Sequence, residues 1–337
     1  MGVVRTGPQS TPADVLRAWT ALEVLSPNAI NSLDELPGNG VFRIDEGVVP
    51  WARAPRPPDP KKRYAYRVAL GTIRLDDATE RLLGRFSDAR HERPEPRRRA
   101  ILASVTLEQD GRLAPPPALA ISSMGWGLPK ARAGQIERLA LWQSTEPGLL
   151  KELDDRLRIR DDGDTQQPLD FECLSSAFRW LVTELGLPED LVELPSVCTR
   201  SEGKIDDGLP RPLLLNSFFL EDLDTARERF ASGKAPMVLR RYMGVDPPGH
   251  RTDLLSDHDA VEHTVAPKHV PPARWPGPGR HSLNLLQQAA INATLTDLAN
   301  GGLISVNGPT RNRKNDPASR PARRQRRRAR RGHARLR

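Results

Sequence analysis

The chain has 337 residues, room for two domains of ordinary size. No apolar run nears the ~18 residues that would span a bilayer. The first residues lack the apolar segment of a secretory signal, and Cys173 and Cys198 give neither a zinc spacing nor a disulfide framework. These features point to a cytoplasmic protein with reduced thiols and no membrane partner. The formal charge of +8 is unevenly placed: residues 311–337 hold 12 arginines and Lys314 against Asp316, a net +12, which leaves −4 on residues 1–310. Arginines outnumber lysines 43 to 8, a bias that suggests GC-rich, bacterial coding. "MGVVRT" fits the loose myristoylation pattern, which short sequences often match by chance.

Residues 12–25 read as an amphipathic helix. Val15, Leu16, Trp19, Leu22 and Leu25 recur at helical spacing, with Pro12 suited to the first turn. Past the prolines around 55–60, "YAYRVALGTIRL" alternates as a strand, and "DDATERLLGRF" reads as a helix with acids in its first turn. "AILASVTLEQDGRL" is a strand running into an Asp110-Gly111 turn, with "ALAISSM" as its neighbour. A small, largely antiparallel sheet with helices packed on it is expected. "RAGQIERLALW", "LLKELDDRLRI" and "FECLSSAFRWLVTELG" carry a helical rhythm, the last closed by Gly186. "RPLLLNSFFLEDLDTARERF" reads as a short strand, a turn at Asn216-Ser217 and a helix. "APKHVPPARWPGPGR" is the clearest linker. "NLLQQAAINATLTDLANGG" is the most regular helix, with Ser282 or Asn284 as its cap and Gly301-Gly302 at its end. A strand at 303–306 then leads to Asn307-Gly308-Pro309.

Helix, strand and Gly-Pro are how a P-loop motor begins. The phosphate loop G-x-x-x-x-G-K-[ST] needs glycines for inward-facing N–H groups, a lysine for phosphate and a hydroxyl for Mg²⁺. Gly308 fills the first position and Lys314 the lysine, but Arg313 stands for Gly and Asn315 for Ser/Thr. A frame displaced by one base restores the rest. Thr310 and Arg311 permit Pro and Gly, Asn312 and Arg313 permit Thr and Gly, Lys314 stays Lys, and Asn315 and Asp316 permit Thr-Thr. The recovered text is "GPPGTGKTTLLRD". The choice is narrow, since Asn312 can become only Thr or Ile, Lys314 only Lys or Arg, and Asn315 only Thr or Met. One extra base in the Pro309 codon suffices. The other reading is a native basic tail after a fortuitous Gly-Pro.

With the loop restored, "LNLLQQAAINATLTDLANGGLISVNGP" resembles the start of the motor in superfamily 1 DNA/RNA helicases, P-loop ATPases whose motor is classed as an AAA domain. Their N-x-x-Q element ahead of the P-loop strand matches Asn284 and Gln287. The resemblance implies that this glutamine reads the adenine edge of ATP with one donor and one acceptor. Gln288 competes for the role, and both glutamines also suit a solvated helix face. "VLRAWTALEVLSP", "ISSMGWGL" and "LLLNSFFLEDL" resemble the accessory segment of large bacterial members. The resemblance therefore implies a mixed α/β chain: an α+β accessory region over 1–263, a Pro/Gly-rich linker over 264–281, the first helix and strand of a RecA-like P-loop NTPase domain over 282–309, and a disordered arginine-rich tail over 310–337. Asn284, Gln287, Gly308 and Lys314 would be a vestigial ATP site. Intact relatives would use ATP and Mg²⁺ on nucleic acid. This chain is expected to bind neither cofactor and to hydrolyse no ATP, because the Mg²⁺ acids, the coupling motifs and the arginine finger are missing, and phosphoryl transfer rests on positioned charge. No catalytic and no metal residue is assigned.

Other features have plainer readings. Asp257, His258, Glu262 and His263 lack the H-E-x-x-H spacing and suit a solvated charged helix. "MGWGLP" reads as a turn beside a packed Trp126. Asp154-Asp155 and Asp161-Asp162 read as surface acids. The tail 311–337 would bind polyanions non-specifically and with steep salt dependence, since it offers no aromatics for base stacking. The alternative function is a non-enzymatic nucleic-acid-binding or interaction module with a basic arm.

Overall fold

Thr11 fixes the first helix. Its hydroxyl accepts the Asp14 N–H at 3.2 Å, and the Asp14 carboxylate accepts the Thr11 N–H at 3.0 Å. This reciprocal cap, with Pro12 in the first turn, starts α1 (Pro12–Val24) where the spacing predicts it. The computed structural model describes residues 10–30, 32–45, 48–83, 98–246, 256–270 and 284–297. The chain divides into two compact units, Met1–Pro236 and Met237–Arg337.

In the first unit α1 is followed by β1 (Ala29–Ile30), β2 (Val41–Arg43), β3 (Lys62–Ala69), β4 (Thr72–Arg74) and α2 (Leu75–Leu83). Then come β5 (Arg99–Ile101), β6 (Ala103–Leu107), β7 (Leu119–Ile121), α3 (Ser123–Arg132), α4 (Trp142–Leu157) and α5 (Phe171–Leu185). β8 (Val192–Glu193), β9 (Val197–Lys204) and α6 (Phe219–Ala231) complete it. The strands form two sheets, β1-β5-β4-β8 and β2-β9-β3-β6-β7, and all their pairings are antiparallel. Mixed α/β with antiparallel sheets is thus the observed class, and β6 and β7 are neighbours as expected.

The alternation of "YAYRVALGTIRL" predicts one strand, yet it is two, one in each sheet. The chain crosses between sheets at Leu70-Gly71, beside a matching crossing at Leu102. There the Leu70 N–H donates to the Ala103 carbonyl at 2.7 Å, and the Leu102 N–H donates to the Gly71 carbonyl at 2.9 Å. Backbone bonding therefore continues through the bend. Gly71 permits it twice over. Its φ is 81°, and a Cβ there would lie 2.2 Å from Cε2 of Phe178 on α5.

Helices cover one face of the larger sheet. Tyr66, Val68, Val105 and Leu107 join Leu128, Trp142, Leu153 and Leu181 in one apolar core. Trp51 is buried against Tyr66, and its indole N–H donates to the Leu169 carbonyl at 2.7 Å. The opposite face, through Ala69 and Val197, packs under Leu36, Leu213 and Leu215.

Three local expectations change. "MGWGLP" lies inside α3, capped by Ser122, and is no turn. Its glycines serve close approach: a Cβ on Gly125 would lie 2.6 Å from Leu102 Cδ1, and one on Gly127 would lie 2.7 Å from Val24 Cγ1. "RAGQIERLALW" spans the end of α3 and a 3-10 helix, Ile136–Leu141, rather than one α-helix. "RPLLL" is extended but joins no ladder. The Leu213 N–H donates to the Ser104 hydroxyl at 3.1 Å, and the Leu215 carbonyl accepts the Asn28 N–H at 3.2 Å.

The described part of the second unit holds α7 (Met237–Tyr242), α8 (His258–Val265), a 3-10 turn at Pro267–His269 and α9 (Leu285–Asp297). The Asn292 amide on α9 donates to the Thr264 carbonyl on α8 at 3.0 Å. The strand expected at 303–306, and with it the RecA-like fold, lies outside the described residues, as does the tail. No helix among the described residues is long and apolar enough to cross a membrane.

Candidate functional site

α9 starts at Asn284 because two side chains close its first turn. The Gln287 N–H donates to Asn284 Oδ1 at 2.9 Å, and the Asn284 N–H donates to Gln287 Oε1 at 3.0 Å. A cap residue and an amide three positions on thus satisfy each other's backbone donors. The N-x-x-Q spacing therefore has a local structural role. Both residues are exposed, and the Gln287 Nε2 has no part in this exchange. Gln288 is engaged elsewhere: its Nε2 donates to Asn292 Oδ1 at 2.8 Å, and Asn292 is 1% exposed. Of the residues expected at a nucleotide site, the structure brings Asn284 and Gln287 together. Gly308 and Lys314 lie outside the described residues.

The other sequence candidates have local explanations. Asp257 caps α8 through the Ala260 N–H at 2.9 Å. Among the described residues no group of three or more His, Cys, Asp or Glu side chains is placed to hold a metal. Asp154 pairs with Arg158, and Asp155 with Lys151. Asp161 accepts the N–H groups of Gly163 and Thr165 at 3.0 and 2.9 Å, closing its own turn. Burial pushes the Cys198 thiol up to about 12, which makes it inert at neutral pH. Burial also raises Cys173.

Two polar groupings went unread in the sequence. Glu146 on α4 is pushed up to about 7 by burial. It accepts a long hydrogen bond, 3.4 Å, from the amide of Asn216. That amide also ties the chain ahead of α6 to the Ile121 carbonyl at 2.9 Å and to the Ser123 N–H at 2.8 Å. The isolated sequence "STEPG" gives no sign of this burial.

The second grouping lies on the larger sheet. Arg200 sits 4.3 Å from the Tyr64 ring centroid and 4.7 Å from that of Phe42 on one face. On the other face Arg63, Ala65, Ser201, Gly203, Asp207 and Leu209 line a cavity of about 230 Å³. Arg67 approaches the same edge, donating to the Ser201 hydroxyl at 3.0 Å and to the Pro37 carbonyl at 2.6 Å. Burial lowers its pKa. The arginine alternation in "RYAYR" was the available signal, but the facing residues come from β9, far along the chain. The chain matches no known protein family, no curated protein and no solved structure.

Proposed function

We propose that the chain is the amino-terminal portion of a superfamily 1 helicase-like P-loop ATPase, interrupted inside its phosphate loop and unable to hydrolyse ATP. The single observation that carries the reading is α9. It begins at an Asn284/Gln287 pair and precedes Gly308-Pro309 in the sequence. Its Leu285, Leu286 and Leu295 are 59%, 48% and 52% exposed, while Ala289 is buried. A helix apolar on several sides suits the interior of a layered domain, and the sheet of a RecA-like motor would supply such layers. In the written frame Arg313 adds bulk where backbone must approach phosphate, and Asn315 lacks the metal-binding hydroxyl. ATP and Mg²⁺ chemistry, with nucleic acid as the partner, then belongs to intact relatives.

The bases of the gene from codon 309 onward test this reading. The expected result is a displaced frame that spells the phosphate loop and continues into further motor sequence. Codons that forbid "PPGTGKTT" in every register would overturn it. ATP turnover by the purified chain would separately overturn the predicted inactivity. The second reading, a non-enzymatic interaction module with a basic arm, draws on the +12 charge of residues 311–337. Deleting those residues would abolish binding to a specific partner under that reading. Under the first it removes only salt-sensitive polyanion binding.

A further inference from the structure

We infer that the open edge of β9 is a docking site for an extended peptide carrying a carboxylate side chain, which reaches Arg63 across Gly203. The inference is independent of the helicase reading. It starts from register. β3 pairs with β9 along all eight residues, from Ala69↔Val197 to Lys62↔Lys204. On the other side β2 pairs only Val197, Cys198 and Thr199. Asn39 and Gly40 extend that side by one residue: the Asn39 N–H donates to the Arg200 carbonyl at 2.6 Å, and the Arg200 N–H donates to the Gly40 carbonyl at 3.1 Å.

Arg200 thus points its backbone groups away from β3. Strand geometry has period two and the register has no bulge, so Glu202 and Lys204 point theirs the same way. Among the described residues nothing pairs with them. Such an edge accepts an added strand by backbone hydrogen bonding, and pockets for alternate side chains then set specificity.

The cavity supplies that pocket. A residue added opposite Gly203 places its side chain on the same sheet face as Ser201, Gly203, Ala65 and Arg63. Gly203 brings no side chain of its own, and a Cβ built on it meets nothing within 4 Å. The path over Gly203 leads to Arg63, its cross-strand partner on β3. The Arg63 Nε is buried with no hydrogen-bond partner among the described residues. A buried N–H without an acceptor is costly, and a carboxylate answers it with a charge-assisted hydrogen bond.

Two acids, Glu202 and Asp207, also line the cavity, and the charge of each is offset. The Glu202 carboxylate is held by Lys62 at 2.7 Å on the opposite face. Asp207 stands exposed at the rim, where water screens it. The Ser201 hydroxyl is already an acceptor for Arg67. Among the described residues Arg63 is the one cation lining the cavity.

The test uses the full chain, ¹⁵N-labelled, and two capped heptapeptides, acetyl-Thr-Val-Thr-Glu-Thr-Val-Thr-amide and its counterpart with a central lysine. The glutamate peptide is expected to shift the amide signals of residues 201–204 saturably and to bind at least tenfold tighter than the lysine peptide. Gly203→Val, whose Cβ meets nothing within 4 Å, should lower glutamate-peptide affinity at least tenfold. Arg63→Gln should erase the preference for glutamate, and Asp207→Asn should strengthen it. Thermal melts establish that each variant is folded. Should one variant fail to fold, the others and the comparison of the two peptides on the unaltered chain still decide. Equal affinity for the two peptides, shifts confined to other surfaces, or no saturable binding at millimolar peptide would each overturn the inference.

Discussion

The two units bury their side chains very differently. The first holds a continuous core from Ala21 to Leu220 in which tryptophans, leucines and valines from helices and sheets are fully enclosed. The described part of the second buries only Ala289 and Asn292, and leaves Met237, Tyr242, Leu285, Leu286 and Leu295 about half exposed. Apolar surface left open on several helices marks secondary structure without its partner layer. Helical sequence is evidently not enough for a domain. The first unit has a sheet on which its helices close, and the described second unit has helices alone. Its buried Asn292, which accepts from Gln288 and donates to the Thr264 carbonyl, is a clamp rather than a core.

The largest expected effect breaks the first unit at its bend. Gly71→Ala forces a left-handed φ on a residue with Cβ and drives that Cβ into Phe178, 2.2 Å from a ring carbon. Positive φ and overpacking together should cost about 3–4 kcal/mol. The urea midpoint of the first unit should fall accordingly, while hydrogen exchange in α8 and α9 stays unchanged. Equal loss of protection in both units would show that they unfold as one body and would erase the contrast.

Asn292→Ala attacks the clamp instead. It strands the Thr264 carbonyl and frees Gln288, a loss of about 2 kcal/mol for a buried hydrogen-bonding group. Amide exchange in α8 and α9 should accelerate roughly thirtyfold, since each 1.4 kcal/mol is a factor of ten, with no shift in the melting of the first unit. A shift in that melting would show that the clamp supports the larger core.

Much of the first unit was legible, and its gaps have physical causes. Pro12 at the head of one helical rhythm and Gly186 at the end of another mark α1 and α5, because helix ends are local chemistry; the Thr11 and Asp170 caps were left unread. The bend at Gly71 was not legible, because the alternation of apolar residues runs through it and only contact with Phe178 reveals the break. "RPLLL" looks like a strand by composition, but its donors and acceptors are taken by Ser104 and Asn28, residues that only the tertiary fold brings near. The Arg63–Gly203 site was hidden for the same reason, since register pairs them. Asn284 and Gln287 were legible as a spacing, yet the same letters spell a helix cap and an adenine reader.

Glu146→Gln probes the one strongly perturbed carboxyl among the first unit's described residues. Burial pushes its folded pKa up to about 7, above the ordinary glutamate value of 4.5. The folded state therefore binds more protons than the unfolded one between these values, and stability falls as pH rises through that window. The neutral amide removes the penalty. It should add about 1–2 kcal/mol above pH 7, after discounting for partial exposure, and nothing below pH 4. Denaturant midpoints across pH 4–8 check it. A gain that is flat with pH would mean that Glu146 is ionised and solvated in the fold.

The smallest expected effect concerns the start of α9, where the same pair serves structure and the proposed ancestry. Asn284→Ala removes the cap and should cost about 1 kcal/mol of α9 stability, read as faster exchange at the first turn. Gln287→Glu is the sharper change. Glutamate at this position keeps the reciprocal cap, since its carboxylate still accepts the Asn284 N–H, and its negative charge favours the helix N-terminus by a few tenths of a kcal/mol. A residue that only caps therefore tolerates glutamate or gains from it. A residue that reads an adenine edge cannot, because the carboxylate loses the donor that the base requires. In the written chain Gln287→Glu should leave α9 at least as protected as before. In a chain with "PPGTGKTT" restored, it should weaken nucleotide binding tenfold or more while the helix stays intact. Unchanged nucleotide binding in that restored chain would leave Gln287 as a cap alone and remove the N-x-x-Q pair from the case for a motor.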